Sequence, residues 1–392
     1  MARVVVVGGG FGGVFAVRAL ERLLREHEII LIEPQGQFTF TPLLHEVAGG
    51  VFGPADVTVP YREILRRSRH VRAAAERVDL DRKVVHAGGH EYRYEYLILA
   101  YGVRTAQAPM GALPLKTLQD AVLVRARMER LVRDAAEDPH VVVVGGGPTG
   151  VEVAGEAIDF LRFRCRIDGV AREPRVTLVH GRDRLLTGQD RFTQRAVLRH
   201  ARRKGIRVIL GERVLEVRDG IVRLGREEIR ADLVVWTAGV AANGIPGVDA
   251  PVRVRRTLQI EGHPEAFAVG DASIVMEAPF PLLAQVASHQ GVHAAHGVAR
   301  LLKGKGAGRF SWRSRGLLVS VGQRWGAGRV LGVPVAGFPA WFLMRTIYLF
   351  KFKSVRHELR MMRAYTVRLF VRDSACVGLR AVRAALAKVR AK

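Results

Sequence analysis

Short unbroken runs of β-branched residues, each closed by glycines and followed by a stretch with helical spacing, set the rhythm of this chain. Val4–Val7 runs into Gly8-Gly-Gly-Phe-Gly-Gly13, and Val141–Val144 runs into Gly145-Gly-Gly-Pro-Thr-Gly150. A half-exposed strand would alternate, so continuous apolar runs predict parallel strands covered by helices on both faces. A second pair of segments repeats in step with the first. Tyr94-Glu-Tyr-Leu-Ile-Leu-Ala-Tyr-Gly102 matches Ala231-Asp-Leu-Val-Val-Trp-Thr-Ala-Gly239, and Gly102 lies as far from Gly239 as Gly8 does from Gly145. Two matches at one offset predict two structurally similar units. A further apolar strand, Phe267–Val269, ends in Gly270-Asp271 beyond both copies. The first unit is therefore expected to be completed by chain that returns after the second, which makes the second an insertion.

A strand, G-x-G-x-x-G and a helix suit a dinucleotide for a physical reason. Gly8 allows the tight turn, Gly10 lets the backbone approach a pyrophosphate, and Gly13 lets helix pack on strand, while the helix N-terminus faces the phosphate charge. Phe11 and Gly12 complete this loop. The run Ile29–Ile32 ends in Glu33, a carboxylate placed to accept hydrogen bonds from a ribose. In the second unit Gly145, Gly147 and Gly150 take the same roles, with Pro148 and Thr149 in the first helical turn, where proline is accepted. The corresponding acid is missing. Val176–Val179 ends in His180, with Gly181, Arg182 and Arg184 behind it. Such a cationic edge can take a 2′-phosphate, so NADPH stands open beside NADH, and plain solvent-facing loop charge is the alternative. Gly102 and Gly239 close the matching later strands, and Asp271 is placed to bond the ribityl chain of a flavin. These features predict FAD on the first unit and a nicotinamide nucleotide on the second.

Two further groupings carry possible chemistry. Glu152 and Glu156 stand one turn apart on the helix after the second loop; Glu152 would lie beside the nicotinamide, or either acid would simply complement the helix dipole. His289, His293 and His296 share a helical face, but no acidic fourth ligand or H-E-x-x-H context accompanies them. Packing and pocket roles are expected there, and no metal.

At 392 residues and 48% hydrophobic, the chain has material for two or three domains with buried cores. Its two cysteines, Cys165 and Cys376, form no C-x-x-C pattern, which argues against a disulfide scaffold or a redox pair and for a reducing compartment. The net charge of +25 calls for an anionic partner: nucleic acid, anionic lipid or an acidic protein. Residues 1–15 read as strand and phosphate loop rather than as a targeting segment. Much of the charge lies in residues 338–392, where thirteen Lys and Arg face only Glu358 and Asp373. The apolar stretches Trp341–Met344 and Thr346–Phe350, broken by Arg345, fall short of the about 20 residues a span needs. They suit an interfacial helix, with apolar side chains in the acyl boundary and cations at anionic headgroups. A helix docked on the protein or on a dimer partner is the alternative.

Taken together, these residues resemble the type II NADH:quinone oxidoreductases over nearly the whole chain. The resemblance is carried by the loop at 8–13, Phe40-Thr-Pro-Leu-Leu44, Gly145–Glu152, Trp236-Thr-Ala-Gly-Val240, Ala268-Val-Gly-Asp271, Ala284-Gln-Val-Ala287 and the tail from Gly316 to Trp341. It implies an α/β fold of two Rossmann-type domains, the NAD domain inserted in the FAD domain, plus a C-terminal amphipathic helical membrane anchor. The expected parts are residues 1–110 and 251–330 for FAD, the latter with a quinone-pocket helix, 111–250 for NAD(P)H, and 331–392 for the membrane. The resemblance further implies hydride transfer from NADH to FAD and two-electron reduction of a membrane quinone. Ala284 and Gln285 would line the quinone pocket, Pro42, Leu43 and Leu44 would pack near the flavin, and Glu152 would sit near the nicotinamide. His289 stands where the family has Gln and becomes the candidate proton donor; His180 stands where it has an acid; Tyr101 replaces a Thr before Gly102. The expected setting is the cytoplasmic face of the cell membrane, peripheral and monotopic, held to anionic lipid through residues 338–392, with a homodimer open. A soluble NAD(P)H-dependent reductase of an acidic protein is the rival reading. An apoptosis-inducing-factor-like nucleic-acid binder is a second, disfavoured because no nucleic-acid-binding motif accompanies the charge.

Overall fold

The computed structural model describes residues 1–106, 108–134, 137–277, 279–349, Met362 and Tyr365. They fall into two compact units, residues 1–39, 58–104 and 240–313 in one, and residues 40–57, 105–239 and 314 onward in the other.

The first unit is built on an eight-stranded sheet. Its parallel part runs Arg69–Val71, Glu28–Ile32, Arg3–Val7, Tyr96–Leu99 and His263–Ala268 in spatial order. Val4, Val5 and Val6 are wholly buried at its centre, as an unbroken apolar run requires. The helix Phe11–Leu23 follows the first strand, and Gly12 and Gly291 let it meet the helix Ala284–Leu301 at backbone distance. A Cβ on Gly291 would stand 2.1 Å from the Gly12 carbonyl oxygen.

The second unit repeats the plan with five parallel strands in the order Ala112–Pro114, Leu233–Trp236, His140–Val144, Arg175–His180, Ile206–Leu210. Its central Val141, Val142 and Val143 are again fully buried. The helix Pro148–Ile167 follows, and a small antiparallel sheet, Glu216–Arg218, Ile221–Arg223 and Glu228–Arg230, closes one side through Val217, Val222 and Ile229.

The boundaries near 110 and 250 fall instead at 104 and 239, and larger stretches also change units. Residues 40–57, expected with the FAD part, belong to the second unit, because Gly49 and Gly50 lie directly on Glu156 and Phe160 of its long helix. Residues 314–330 also join the second unit. No break falls at 331, because Leu318–Ser320, Gly326–Val330 and Val333–Gly337 form one antiparallel sheet closed by the helix Phe338–Leu349 through Leu318, Ala340 and Met344.

Among the described residues no helix is long and apolar enough to cross a membrane. Phe338 and Phe342 are exposed on the tail helix, but Arg345, counted above among the cations that would meet lipid, is buried and paired with Glu46 at 2.9 Å. The remainder of the expected anchor, apart from Met362 and Tyr365, lies outside the described residues.

Candidate active site and its two nucleotide cradles

The two glycine loops have one geometry. Gly8 and Gly145 turn with φ of 100° and 119°, a region open chiefly to glycine. A Cβ on Gly13 would stand 1.8 Å from the Gly8 carbonyl oxygen, and one on Gly150 would stand 1.7 Å from that of Gly145. Each helix thus starts in contact with its own turn. On the opposite side a Cβ on Gly10 or Gly147 would meet no protein atom within 4 Å. Both residues are helix N-caps without a side-chain acceptor, and neither first turn holds an acid, so the first-turn N–H groups are left to an anion. A diphosphate fits both cradles. Gly102 and Gly239 also match, with φ of 66° and 75°.

At the end of the second strand of each unit the cradles diverge. In the first, the Gly9 N–H donates to Glu33 Oε2 at 2.7 Å, the Gln35 N–H donates to Oε1 at 2.9 Å, and the Tyr61 hydroxyl donates to the Gly9 carbonyl at 2.7 Å. In the second, the Gly146 N–H donates to His180 Nδ1 at 3.1 Å. Burial and then Arg182 lower the His180 pKa, opposed by Asp183, which favours the neutral ring this bond requires. Arg182 itself is exposed and donates to Thr187 at 3.1 Å.

Gly270 and Asp271 open a short 3-10 turn, and the Gly270 N–H donates to Gln290 Oε1 at 2.7 Å. Gln290 is buried and was not among the expected site residues. It follows by three residues, on the same helical face, Ala287, which packs against Gly270. Ala284 and Gln285 sit half-buried in the first turn of the same helix, whereas His289 is exposed. His293 packs edge-on to Phe310 with its Nε2 3.2 Å from the Gly308 carbonyl, and no metal-binding group occurs among the described residues. Phe11 packs edge-on to Phe38 at 5.0 Å, and Thr149 is exposed.

Pro42, Leu43 and Leu44 stand in the second unit, with Leu43 and Leu44 buried. They lead into a polar cluster deep in that unit. His45 Nδ1 lies 3.4 Å from Glu152 Oε2, while its Nε2 lies 3.4 Å from Ser320 Oγ and 3.9 Å from Glu46 Oε1. Arg345 reaches Glu46 from the tail helix and lies 3.7 Å over the Trp341 ring. Glu152 thus faces a buried imidazole rather than complementing a helix dipole. Burial raises its pKa well above the usual carboxylate range, opposed by the Ser320 N–H and reinforced by Glu46 and Glu156. Burial and then Arg345 lower His45 to about 3, opposed by the Pro42 carbonyl.

These two shifts oppose each other in pH. Neutral His45 contributes stability above 6.5 that is lost as pH falls toward about 3. Neutral Glu152 contributes stability below 4.5 that is lost as pH rises through its raised value. In the window that opens at 4.5 the slopes oppose each other, each being at most about 1.4 kcal/mol per pH unit. Thermal melts across pH are expected to show His45→Gln losing stability with rising pH in that window. Glu152→Gln is expected to remove that decline and leave stability rising with pH up to 6.5. An unchanged slope in both variants would show that neither group titrates as described.

Two cradles of one design, with an acid in the first and an imidazole in the second, define a protein that binds two dinucleotides on duplicated Rossmann units. The sequence pattern of the pyridine nucleotide-disulphide oxidoreductases matches residues 2–291, and the chain belongs to that family. It is 26% identical over 377 residues to a type II NADH:quinone oxidoreductase of Staphylococcus saprophyticus, covering 88% of this chain and 94% of that one. It is 27% identical over 390 residues to a demethylphylloquinone reductase of Synechocystis, covering 91% and 94%. The fold is shared with the NDH2 of Plasmodium falciparum solved with NADH, at a TM-score of 0.86 and 17% identity over 95% of this chain and 99% of that one.

Proposed function

We propose that the chain is an FAD-dependent NADH:quinone oxidoreductase that does not pump protons. The observation that carries this reading is the repeated cradle, one socket for a nicotinamide donor and one for a flavin on a single chain. FAD, when bound, supplies a group that accepts a hydride and passes on two electrons. The chain's own residues supply position and electrostatics. Gly8, Gly10 and Gly13 with the helix start at Phe11 would hold the flavin diphosphate, Glu33 would take the adenosine ribose, and Asp271, fixed through Gly270 and Gln290, would take the ribityl chain. Gly145, Gly147, Pro148, Thr149 and Gly150 would hold the nicotinamide nucleotide, with His180 at its ribose.

Glu152 is assigned a catalytic part as a buried carboxyl 3.4 Å from His45, whose burial favours its protonated form and so its action as a proton donor. Gln285 and Ala284 are assigned to the quinone pocket, with exposed His289 beside them on the same helix. A quinone is favoured over an acidic protein as acceptor by the activities for which the two relatives above are named, and over a disulfide by the sequence, in which Cys165 and Cys376 form no C-x-x-C pair. A peripheral site on anionic membrane fits the exposed Phe338 and Phe342 and the cationic tail.

Steady-state assays test this reading. NADH oxidation by the FAD-loaded protein is expected to rise at least about a hundredfold when a short-chain quinone is added, given the span of enzymic accelerations. Turnover with an acidic ferredoxin and none with quinone would transfer the reading to the soluble reductase.

A further inference from the structure

We infer that the second cradle accepts the 2′-phosphorylated nucleotide NADPH as well as NADH, because His180 fills the socket that a carboxylate fills in the first. The inference rests on the proposed role of that cradle as the nicotinamide site. The residue ending the second strand of a Rossmann unit meets the adenosine ribose, and a carboxylate there both bonds the 2′-hydroxyl and repels a 2′-phosphate. Glu33 shows how the socket is made: a loop N–H, that of Gly9, holds the side chain at the strand end. Gly146 makes the same bond to His180, so the ring stands in the carboxylate's place without its charge. The ring is also fixed there, since a Cβ on Gly146 would lie 2.6 Å from its Cγ.

The surrounding loops add positive charge. Arg182 follows two residues on, and Arg213 lies over Gly181, its Cγ 3.0 Å from where a Cβ would stand. The nearby acids face arginines of their own: Asp183 pairs with Arg184 at 3.1 Å, and Glu212 pairs with Arg226 at 3.1 Å. A dianionic phosphate at the ribose 2′ position therefore meets no carboxylate at the strand end, and the arginines of the loops behind it, Arg182, Arg184 and Arg213, outnumber Asp183. Arginine in this place is the usual partner of a 2′-phosphate.

The test uses the FAD-loaded protein and two probes, AMP and 2′-phospho-AMP, whose affinities are read by calorimetry. Wild type is expected to bind 2′-phospho-AMP at least as tightly as AMP. His180→Glu is expected to shift the ratio at least about tenfold toward AMP, because like charges in contact are costly. Arg182→Ala is expected to weaken 2′-phospho-AMP more than AMP, with a smaller effect at high salt. Rates of flavin bleaching by NADPH and NADH should follow the same ratio. A wild-type preference of more than tenfold for AMP, or a ratio unmoved by His180→Glu, overturns the inference. If neither nucleotide bleaches the flavin while both probes bind as stated, the redox reading fails and the inference stands.

Discussion

Replacing Gly150 with alanine is expected to abolish reduction of the flavin by NADH, at least about a hundredfold in rate, while FAD stays bound. The new Cβ would be forced to within 1.7 Å of the Gly145 carbonyl oxygen and 2.6 Å of Thr237 Oγ1, so the helix cannot keep its seat on the turn. Overpacking of this kind displaces backbone, and a catalytic geometry displaced by about 1 Å can lose a hundredfold. Gly13→Ala, with its Cβ 1.8 Å from the Gly8 carbonyl, is expected to do the converse and yield protein without flavin. Gly147→Ala separates fold from binding, because its Cβ meets no protein atom and φ there is −75°. It should melt like wild type yet bind nucleotide more weakly. Flavin absorbance of the purified variants, followed by stopped-flow bleaching with NADH, distinguishes the three.

The second large effect concerns Glu46 and Arg345, which are 0% and 3% exposed in side chain and 2.9 Å apart. Glu46→Ala leaves a buried guanidinium without its carboxylate, beside the aromatic ring of Trp341 and near that of Tyr365. Removing one partner of a buried pair costs about 3–5 kcal/mol, whereas replacing both by apolar groups of similar volume is often neutral. Glu46→Ala should therefore lower the denaturation midpoint sharply. The double variant Glu46→Met with Arg345→Met should recover most of the loss. A small effect of the single variant would mean that Arg345 leaves the interior and its tail helix unseats at little cost.

Much of this architecture was written in local sequence. The duplicated strand and loop could be read because a parallel strand buried on both faces tolerates no polar interruption, and because Gly13 and Gly150 have no substitute at a contact under 2 Å from the turn. Glu33 and His180 were legible for the same reason, as each ends a strand whose register is fixed. What escaped was long-range. His45, Glu46, Ser320 and Arg345 come from three separate segments, and nothing in the spacing of an isolated Arg345 within an aromatic run announces a carboxylate three hundred residues earlier in the chain. Composition read that arginine as a cation for lipid, while burial beside Glu46 makes it an internal ion. Gln290 escaped for a simpler reason, since a single amide on a helix declares its partner only when the Gly270 turn is seen beside it.

The most direct test of the account is an anaerobic redox titration of the FAD-loaded protein. One equivalent of NADH is expected to bleach the flavin, and one equivalent of a short-chain quinone is then expected to restore its oxidised spectrum, with the cycle repeatable on the same sample. A flavin that NADH bleaches and quinone leaves reduced would contradict the assignment as a quinone reductase.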